Sequence, residues 1–333
     1  MLRLGVDIGG TKINIGVLDE KNRIIKNSIY KVCDTDNVPN LINGFLIEFY
    51  KETGFSSHDI GCCGIGVPGT VSEDGHQLLK APNIDILNSE TAYRTEETIG
   101  IPCTMIQDSR AAAYAEYIIS EKEYKTFVCI TLGTGIGTGI IINGKLYSGG
   151  LGNAGELGHT HIKGGTRQCG CGKSGCLEAY TAGKGLDKTA RELLGGKSNA
   201  KDLFEAAKNG SGKCREAINN AVELLANGIS SLVNIISPEI IVFSGGLINQ
   251  TELYIHPLFK KIKEYCYNTG TNTELKTAAL GENAPMVGAA LLPEIRKQDF
   301  EISASIMCAD ILNLENAIDE LSQANIKYLH CDM

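Results

Sequence analysis

The sequence predicts an α/β protein built from two similar lobes. One strand–glycine loop–strand unit surrounds Asp7-Ile-Gly-Gly-Thr-Lys12, and a second surrounds Gly133-Thr-Gly-Ile-Gly-Thr-Gly139. Helical stretches alternate with short apolar strands between and after these units. The length of 333 residues agrees, since a chain of this size holds about two domains.

Each element has a local reason. Leu2, Leu4, Val6 and Ile8 alternate with other residues, as do Ile13, Ile15 and Val17, which is the period of a strand. Residues 24–31 follow Asp19–Arg23 as a third strand, and residues 38–53 read as a helix. Cys62 to Val67 is a strand ending in Pro68-Gly69. Cys103 to Gln107 is a short strand ending at Asp108, followed by an alanine-rich helix from Ala111 to Ile119. In the second unit Phe127 to Leu132 is a strand, Gly133 to Gly139 a turn and Ile140 to Ile142 the next strand, after which Asn143-Gly144 signals a hairpin. Ile218, Val222, Leu225, Ile229, Leu232 and Ile236 recur at spacings of three and four, an amphipathic helix over 215–236. Pro238 ends it, Ile240 to Phe243 is a strand running into Ser244-Gly-Gly246, and residues 284–293 form a last apolar helix.

Composition narrows the function classes. A hydrophobic share of 43 %, a charged share of 21 % and no tryptophan describe an ordinary globular chain. The net charge of −8 argues against bulk nucleic-acid binding and suits a small-molecule enzyme. No apolar run approaches the roughly 18 residues that span a bilayer, and the N-terminus enters a strand pattern without a signal-like core. A cytoplasmic protein without a membrane partner is expected. In that reducing compartment the twelve cysteines read as metal ligands and buried thiols rather than disulfides. Cys62 and Cys63 read as strand residues packed in the core.

The chemistry concentrates in a few segments. His159, Cys169, Cys171 and Cys176 offer one imidazole and three thiols, the donor set of a closed tetrahedral zinc site. Gly170, Gly172 and Gly175 let the backbone converge on one ion; clustered buried thiols are the alternative. Glu156 and Glu178 flank this set. A metal-pinned loop would fix both carboxylates for bidentate hydrogen bonds to sugar hydroxyls, although two solvated glutamates fit the residues alone. The glycine loops carry Thr11 and Lys12 in one unit and Thr131, Thr134 and Thr138 in the other. Such loops are either tight turns or nests of backbone N–H groups that hold phosphate. The second loop does not complete a dinucleotide fingerprint, because position 138 is Thr and a strand follows the loop, and no Walker sequence is present either. Two phosphate loops fit a nucleotide clamped in a cleft, with Asp7 placed to hold Mg2+ through water. Asp108, at a strand's carboxyl end, suits a general base, a helix N-cap or both.

These residues together resemble the ROK family (repressors, open reading frames and kinases) of the actin-like sugar-kinase superfamily. The match covers residues 2–295. It rests on Asp7–Lys12, Gly66-Val-Pro-Gly69, Pro82-Asn83, Thr131–Gly135, Gly155-Glu-x-x-Gly-His159, the cysteine cluster with Glu178, and Ser244–Gly246, all in family order. The resemblance implies a two-lobed actin-like (ribonuclease H-like) ATPase fold: a small lobe over 1–118 that regains a helix at 284–297, and a large lobe over 119–283 with the zinc loop. It implies that Asp108 deprotonates a hexose 6-hydroxyl, and that Asn83, Gln107, Glu156, His159 and Glu178 hold the sugar, His159 also binding zinc. Gly9, Gly10, Thr11 and Lys12, with Gly133, Thr134 and Gly135, would hold ATP phosphates, and Gly245-Gly246 would lie against adenosine. A homodimer is implied too. Regulators of the family carry an N-terminal helix-turn-helix; with the phosphate loop beginning at Asp7, a kinase is expected rather than a sugar-binding regulator without turnover. Gln107-Asp108-Ser-Arg110 departs from the family, which has Asn before the Asp and Asn two residues after it. Gln is one methylene longer, so the hydroxyl pattern read here is expected to differ from that of glucose.

Residues after about 298 lie outside that family. Phe300 to Asp310 and Tyr328-Leu-His-Cys-Asp-Met333 resemble the first strand, helix and second strand of ribulose-phosphate and allulose-6-phosphate 3-epimerases, where the positions of His330 and Asp332 bind metal. One such unit cannot close a (β/α)8 barrel, so no epimerase activity is expected from it. Allulose 6-phosphate lies downstream of allose phosphorylation, and allose is the carbon-3 epimer of glucose. D-allose is therefore the expected substrate, with glucose or N-acetylmannosamine as alternatives.

Overall fold

The structure, a computed structural model, describes residues 1–32, 37–72, 74–80, 87–120, 122–292, 303–305 and 328–330. Two compact units are present, Met1–Leu292 and Pro293–Met333.

In the first unit β1 (Leu2–Ile8), β2 (Lys12–Leu18) and β3 (Ile24–Lys31) form an antiparallel meander. β1 is buried throughout, whereas the edge strand β3 alternates between partly buried and exposed residues. Helix α1 (Val38–Thr53) starts where the Asn37 side chain accepts from the Asn40 N–H and ends on Gly54 in the left-handed region, the usual cap chemistry. It buries Val38, Ile42, Phe45, Leu46 and Phe49 in one core with the strands. β4 (Ile60–Val67) pairs parallel to β1. The short hairpin β5 (Thr70–Val71) and β6 (Leu78–Lys80) and helix α2 (Thr91–Ile99) lead to β7 (Cys103–Gln107), parallel to β4. The sheet order is β3-β2-β1-β4-β7.

Helix α3 (Asp108–Ile118) leads from this sheet to a second one of the same design. β8 (Thr126–Leu132), β9 (Ile136–Ile142) and β10 (Lys145–Leu146) form the meander, with Asn143 and Gly144 at positive φ in the hairpin turn. Helices α4 (Glu178–Thr181), α5 (Gly183–Leu194), α6 (Ala200–Lys208) and α7 (Gly212–Ile236) follow. β11 (Ile240–Ser244), helix α8 (His256–Tyr265) and β12 (Glu274–Thr277) complete the order β10-β9-β8-β11-β12, in which β8, β11 and β12 run parallel. This sheet and its helices enclose a separate apolar core. Helix α9 (Ala284–Ala290) then packs against β1, β4 and α3.

Two expectations need correction. The second glycine turn is shorter than predicted, because β9 begins at Ile136 and the turn spans only Gly133–Gly135. Gly137 and Gly139 lie within the strand, where an added Cβ would sit 2.4 Å from Ser109 Cβ and 2.2 Å from Ala113 Cβ; they let α3 press onto β9. Thr138 is buried in that strand, away from the turn. The alanine-rich helix begins at Asp108 rather than Ala111, with Gln107 at the N-cap position.

In the second unit, β13 (Ser303–Ser305) pairs in parallel with β14 (Tyr328–His330). Asp332 lies outside the described residues, and His330 is described by its backbone. Among the described residues no helix is long and apolar enough to cross a membrane.

Candidate active site

Parallel strands place their carboxyl ends on one side of a sheet, and here β1, β4 and β7 bring two carboxylates together there. Asp7 pairs in register with Gly66, and Val67 with Gln107. A Cβ added to Gly66 would lie 3.7 Å from Asp7 Oδ1 and 3.8 Å from Asp108 Cα, so the two aspartates flank a residue with no side chain. Asp108 Oδ1 accepts from the N–H of Ser109 at 2.6 Å. Burial raises the Asp108 pKa to about 6; the Ser109 N–H opposes that shift and the Glu156 charge adds to it. Burial, then the charge of Asp108, raises Asp7 to about 8, with Lys12 opposing. Two carboxylates that repel one another and are withdrawn from water are chemically suited to a divalent cation.

Glu156 faces Asp108 from the second lobe. It precedes a 3₁₀ turn over Leu157–His159, and Gln107 Nε2 approaches its Oε1 at 3.5 Å. His159 Nε2 lies 3.8 Å from Glu156 Oε2, and His159 Nδ1 lies 3.7 Å from Glu178 Oε1. Glu178 begins α4; its Oε2 accepts from the Ile136 N–H at 3.2 Å and its Oε1 from the Cys169 thiol at 3.0 Å. The two glutamates therefore differ. Glu156 and His159 are more than a third exposed, whereas Glu178 ties the second glycine turn to the cysteine loop.

The four predicted metal ligands do converge. The ligand atoms of His159, Cys169, Cys171 and Cys176 all lie within 4.8 Å of one another. Cys171 and Cys176 sulfurs are 3.6 Å apart, and Cys169 Sγ is 3.7 Å from His159 Nδ1. A tetrahedral zinc ion with Zn–S bonds of about 2.3 Å has ligand–ligand edges of roughly 3.5–3.8 Å, so this donor set fits zinc. The thiols are free. Gly172 and Gly175, at φ of 91° and 82°, turn the backbone, and Cys169 N–H donates to Lys173 O and Gly175 N–H to Arg167 O. Gly170 has no such conformation.

The glycine turns differ in how they are held. In the first, Gly9 N–H donates to Lys12 O at 2.9 Å, and Lys12 Nζ pairs with Glu282. In the second, Gly133 N–H donates to Gly135 O, while Gly133 O and Thr134 O accept from Gly183 and Lys184 at the start of α5. The Thr131 and Ser244 hydroxyls are 2.9 Å apart. Gly245, at φ 89°, would place a Cβ 2.5 Å from Leu132 O, so the Gly245-Gly246 turn lies directly on the end of β8. Beside it opens a cavity of about 660 Å³ lined by Ile248, Asn249, His256, Phe259, Leu275 and Thr277.

Asn83 lies outside the described residues. Two contacts were not legible in the sequence. Glu282, which meets Lys12, carries no motif. Arg110 stood out there only as a departure from a pattern, yet its Nη2 donates to Gly152 O and Ala154 O at 2.6 and 3.1 Å.

Comparison with known proteins agrees with this architecture. Residues 3–295 match the ROK family. The chain is 33 % identical over 309 residues to a glucokinase of Streptomyces coelicolor, covering 87 % of this chain and 96 % of that one. It is 30 % identical over 301 residues to an N-acetyl-D-glucosamine kinase of Haemophilus influenzae, covering 86 % and 98 %. The crystal structure of a ROK family glucokinase from Streptomyces griseus, in complex with glucose and AMPPNP, superposes with a TM-score of 0.72 at 30 % identity, covering 88 % of this chain and 99 % of that one. With matched glycine turns, paired aspartates and a Cys/His cluster in one two-lobed actin-like fold, the chain belongs to the ROK family of sugar kinases.

Proposed function

We propose that this ATP-dependent sugar kinase phosphorylates a hexose at its 6-hydroxyl, with D-allose as its preferred substrate. The observation that carries the reading is the meeting of Asp108 with a polar cluster, Gln107, Glu156 and His159, at one strand end. Asp108 takes the proton of the 6-hydroxyl as that oxygen attacks the γ-phosphorus of ATP, and the bond from that phosphorus to the β–γ bridging oxygen breaks so that ADP leaves. Glu156, His159 and Gln107 hold the ring hydroxyls, joined by Asn83. Catalysis of this kind is mostly positioning and charge stabilisation. The turns at Gly9–Lys12 and Gly133–Gly135 receive the phosphates through N–H groups other than those of Gly9 and Gly133, which close the turns, and Gly245-Gly246 with the adjoining cavity receives the adenosine. Asp7 would hold a magnesium ion through water, and that ion would supply charge neutralisation to the phosphates. Zinc on His159, Cys169, Cys171 and Cys176 supplies rigidity to the sugar-binding loop. With Cys169 held as a thiolate by such an ion, its thiol proton would be gone and Glu178 Oε1, which accepts from that thiol here, would be available to a sugar hydroxyl.

Two features support allose. Gln107 reaches Glu156, so the residue that departs from the family pattern stands against a sugar-binding carboxylate. The tail over 298–333 is read as the opening of an epimerase barrel, which its parallel strand pair supports. Misreading one hydroxyl leaves a buried polar group unpaired, at about 1–3 kcal/mol, or roughly tenfold to a hundredfold in kcat/KM. The second reading is glucose, favoured by similarity to the S. coelicolor glucokinase. ADP release with allose, glucose, mannose, fructose and N-acetylmannosamine decides. Allose is expected to show the highest kcat/KM, and Gln107→Asn to shift preference toward glucose. A parent enzyme that prefers glucose or N-acetylmannosamine refutes the allose assignment.

A further inference from the structure

We propose that Arg110 is a positioning residue that registers the loop leading into Glu156 against the helix turn that carries Asp108. The inference rests on the proposed function, in which Glu156 binds the sugar and Asp108 is the base.

Arg110 lies in the first turn of α3, two residues after Asp108. Its Nη2 donates to Gly152 O at 2.6 Å and to Ala154 O at 3.1 Å, and Ala154 precedes Glu156 by two residues. Among the described residues few hydrogen bonds fix this loop, although its last residue, Gly155, lies against β9, where an added Cβ would sit 2.5 Å from Thr138 O. Its base is closed by Ala154 N–H on Ser148 O, and a turn within it by Gly152 N–H on Gly149 O. Gly149, Gly152 and Gly155 all take positive φ, and Leu151 at the tip is 92 % exposed, so no side chain anchors the tip in a core. A glycine-rich loop of this kind is held in one place mainly by hydrogen bonds from outside it. The guanidinium supplies them, and the Glu156 carboxylate is the charge that faces it.

Within Gln107–Arg110, then, Gln107 touches Glu156, Asp108 is the base, and Arg110 holds the backbone just before Glu156. The distance between base and ring-binding carboxylate is set within one helix turn. Both carbonyls are held by the one nitrogen Nη2, whose two hydrogens lie in the fixed plane of the guanidinium, whereas a lysine ammonium turns freely about its stem.

The test is steady-state kinetics on the full chain, varying hexose at saturating ATP and then ATP at saturating hexose. Arg110→Gln is expected to raise the hexose KM by roughly tenfold, equivalent to about 1.4 kcal/mol of hexose binding, while the ATP KM, zinc content and Tm stay near those of the parent. Arg110→Lys should fall between. A hexose KM unchanged in Arg110→Gln, or hexose and ATP KM rising together, overturns the inference. If Arg110→Gln does not fold, Arg110→Lys carries the test, and an unchanged hexose KM in that variant overturns it. A parent that releases ADP with no hexose refutes the proposed function itself. A parent active on a hexose whose KM ignores Arg110 refutes this inference alone.

Discussion

A carboxylate can serve as a base only where it is ionised, and the surroundings of Asp108 set that range. Burial first, then the Glu156 charge, raises it from 3.8 to about 6 against the pull of the Ser109 N–H. The raised value means the neutral acid persists to higher pH. At saturating MgATP, kcat/KM for hexose should therefore fall as pH drops through about 6, following a single proton. Asp7 and Glu156 are the charged groups facing Asp108. Glu156→Gln removes one of them and should move this limb to lower pH, whatever its cost in sugar binding. A limb near the ordinary aspartate value, or one that Glu156→Gln leaves in place, contradicts the assignment. At this scale residue types were legible and contacts were not. Glu156 and Glu178 looked alike in the sequence, yet one faces Gln107 and the other is tied to the Ile136 N–H and the Cys169 thiol. Gln107 and Ile136 lie 49 and 42 residues from their partners and Cys169 only 9 from Glu178, and of the three only the Gln107 contact crosses between lobes, so tertiary packing decides which glutamate meets which.

At the scale of elements, the strands and helices with regular apolar periods were legible. Val38–Thr53 and Cys103–Gln107 have the predicted bounds, and Gly212–Ile236 extends its prediction by a few residues. Helix α2 was not legible because it buries Thr91, Ala92, Thr95 and Ile99, a face half made of threonine. Helix α5 buries Gly185, Leu186 and Ala190, where small residues hide the period. The glycines of 133–139 misled for a related reason, since a glycine marks either a turn or a close approach of backbones. The convergence of His159, Cys169, Cys171 and Cys176 was legible because residue type and spacing, not apolar packing, signal it. Cys176→Ser should weaken metal binding by at least the roughly 10–100-fold that losing an outer-shell partner costs, lower the Tm and raise the hexose KM, because Glu156 and His159 lose a fixed loop. Elemental analysis of the parent finding no near-stoichiometric zinc contradicts that.

At the scale of the whole molecule, duplication was legible from two glycine units, and the structure repeats one five-stranded topology around two cores. The tail is separable on two grounds: the family match ends at 295, and Met1–Leu292 forms a compact unit. Deleting residues 299–333 should leave kinase kcat/KM unchanged, and a loss of activity would give the tail a part in the site. The central claim concerns what the strand ends of the first lobe do for a hexose held beside them. ADP formation by Asp108→Asn, with hexose binding followed in parallel, tests it most directly. Turnover should fall by at least about a hundredfold, the usual weight of a general base, with binding retained; turnover within a few-fold of the parent would contradict the account.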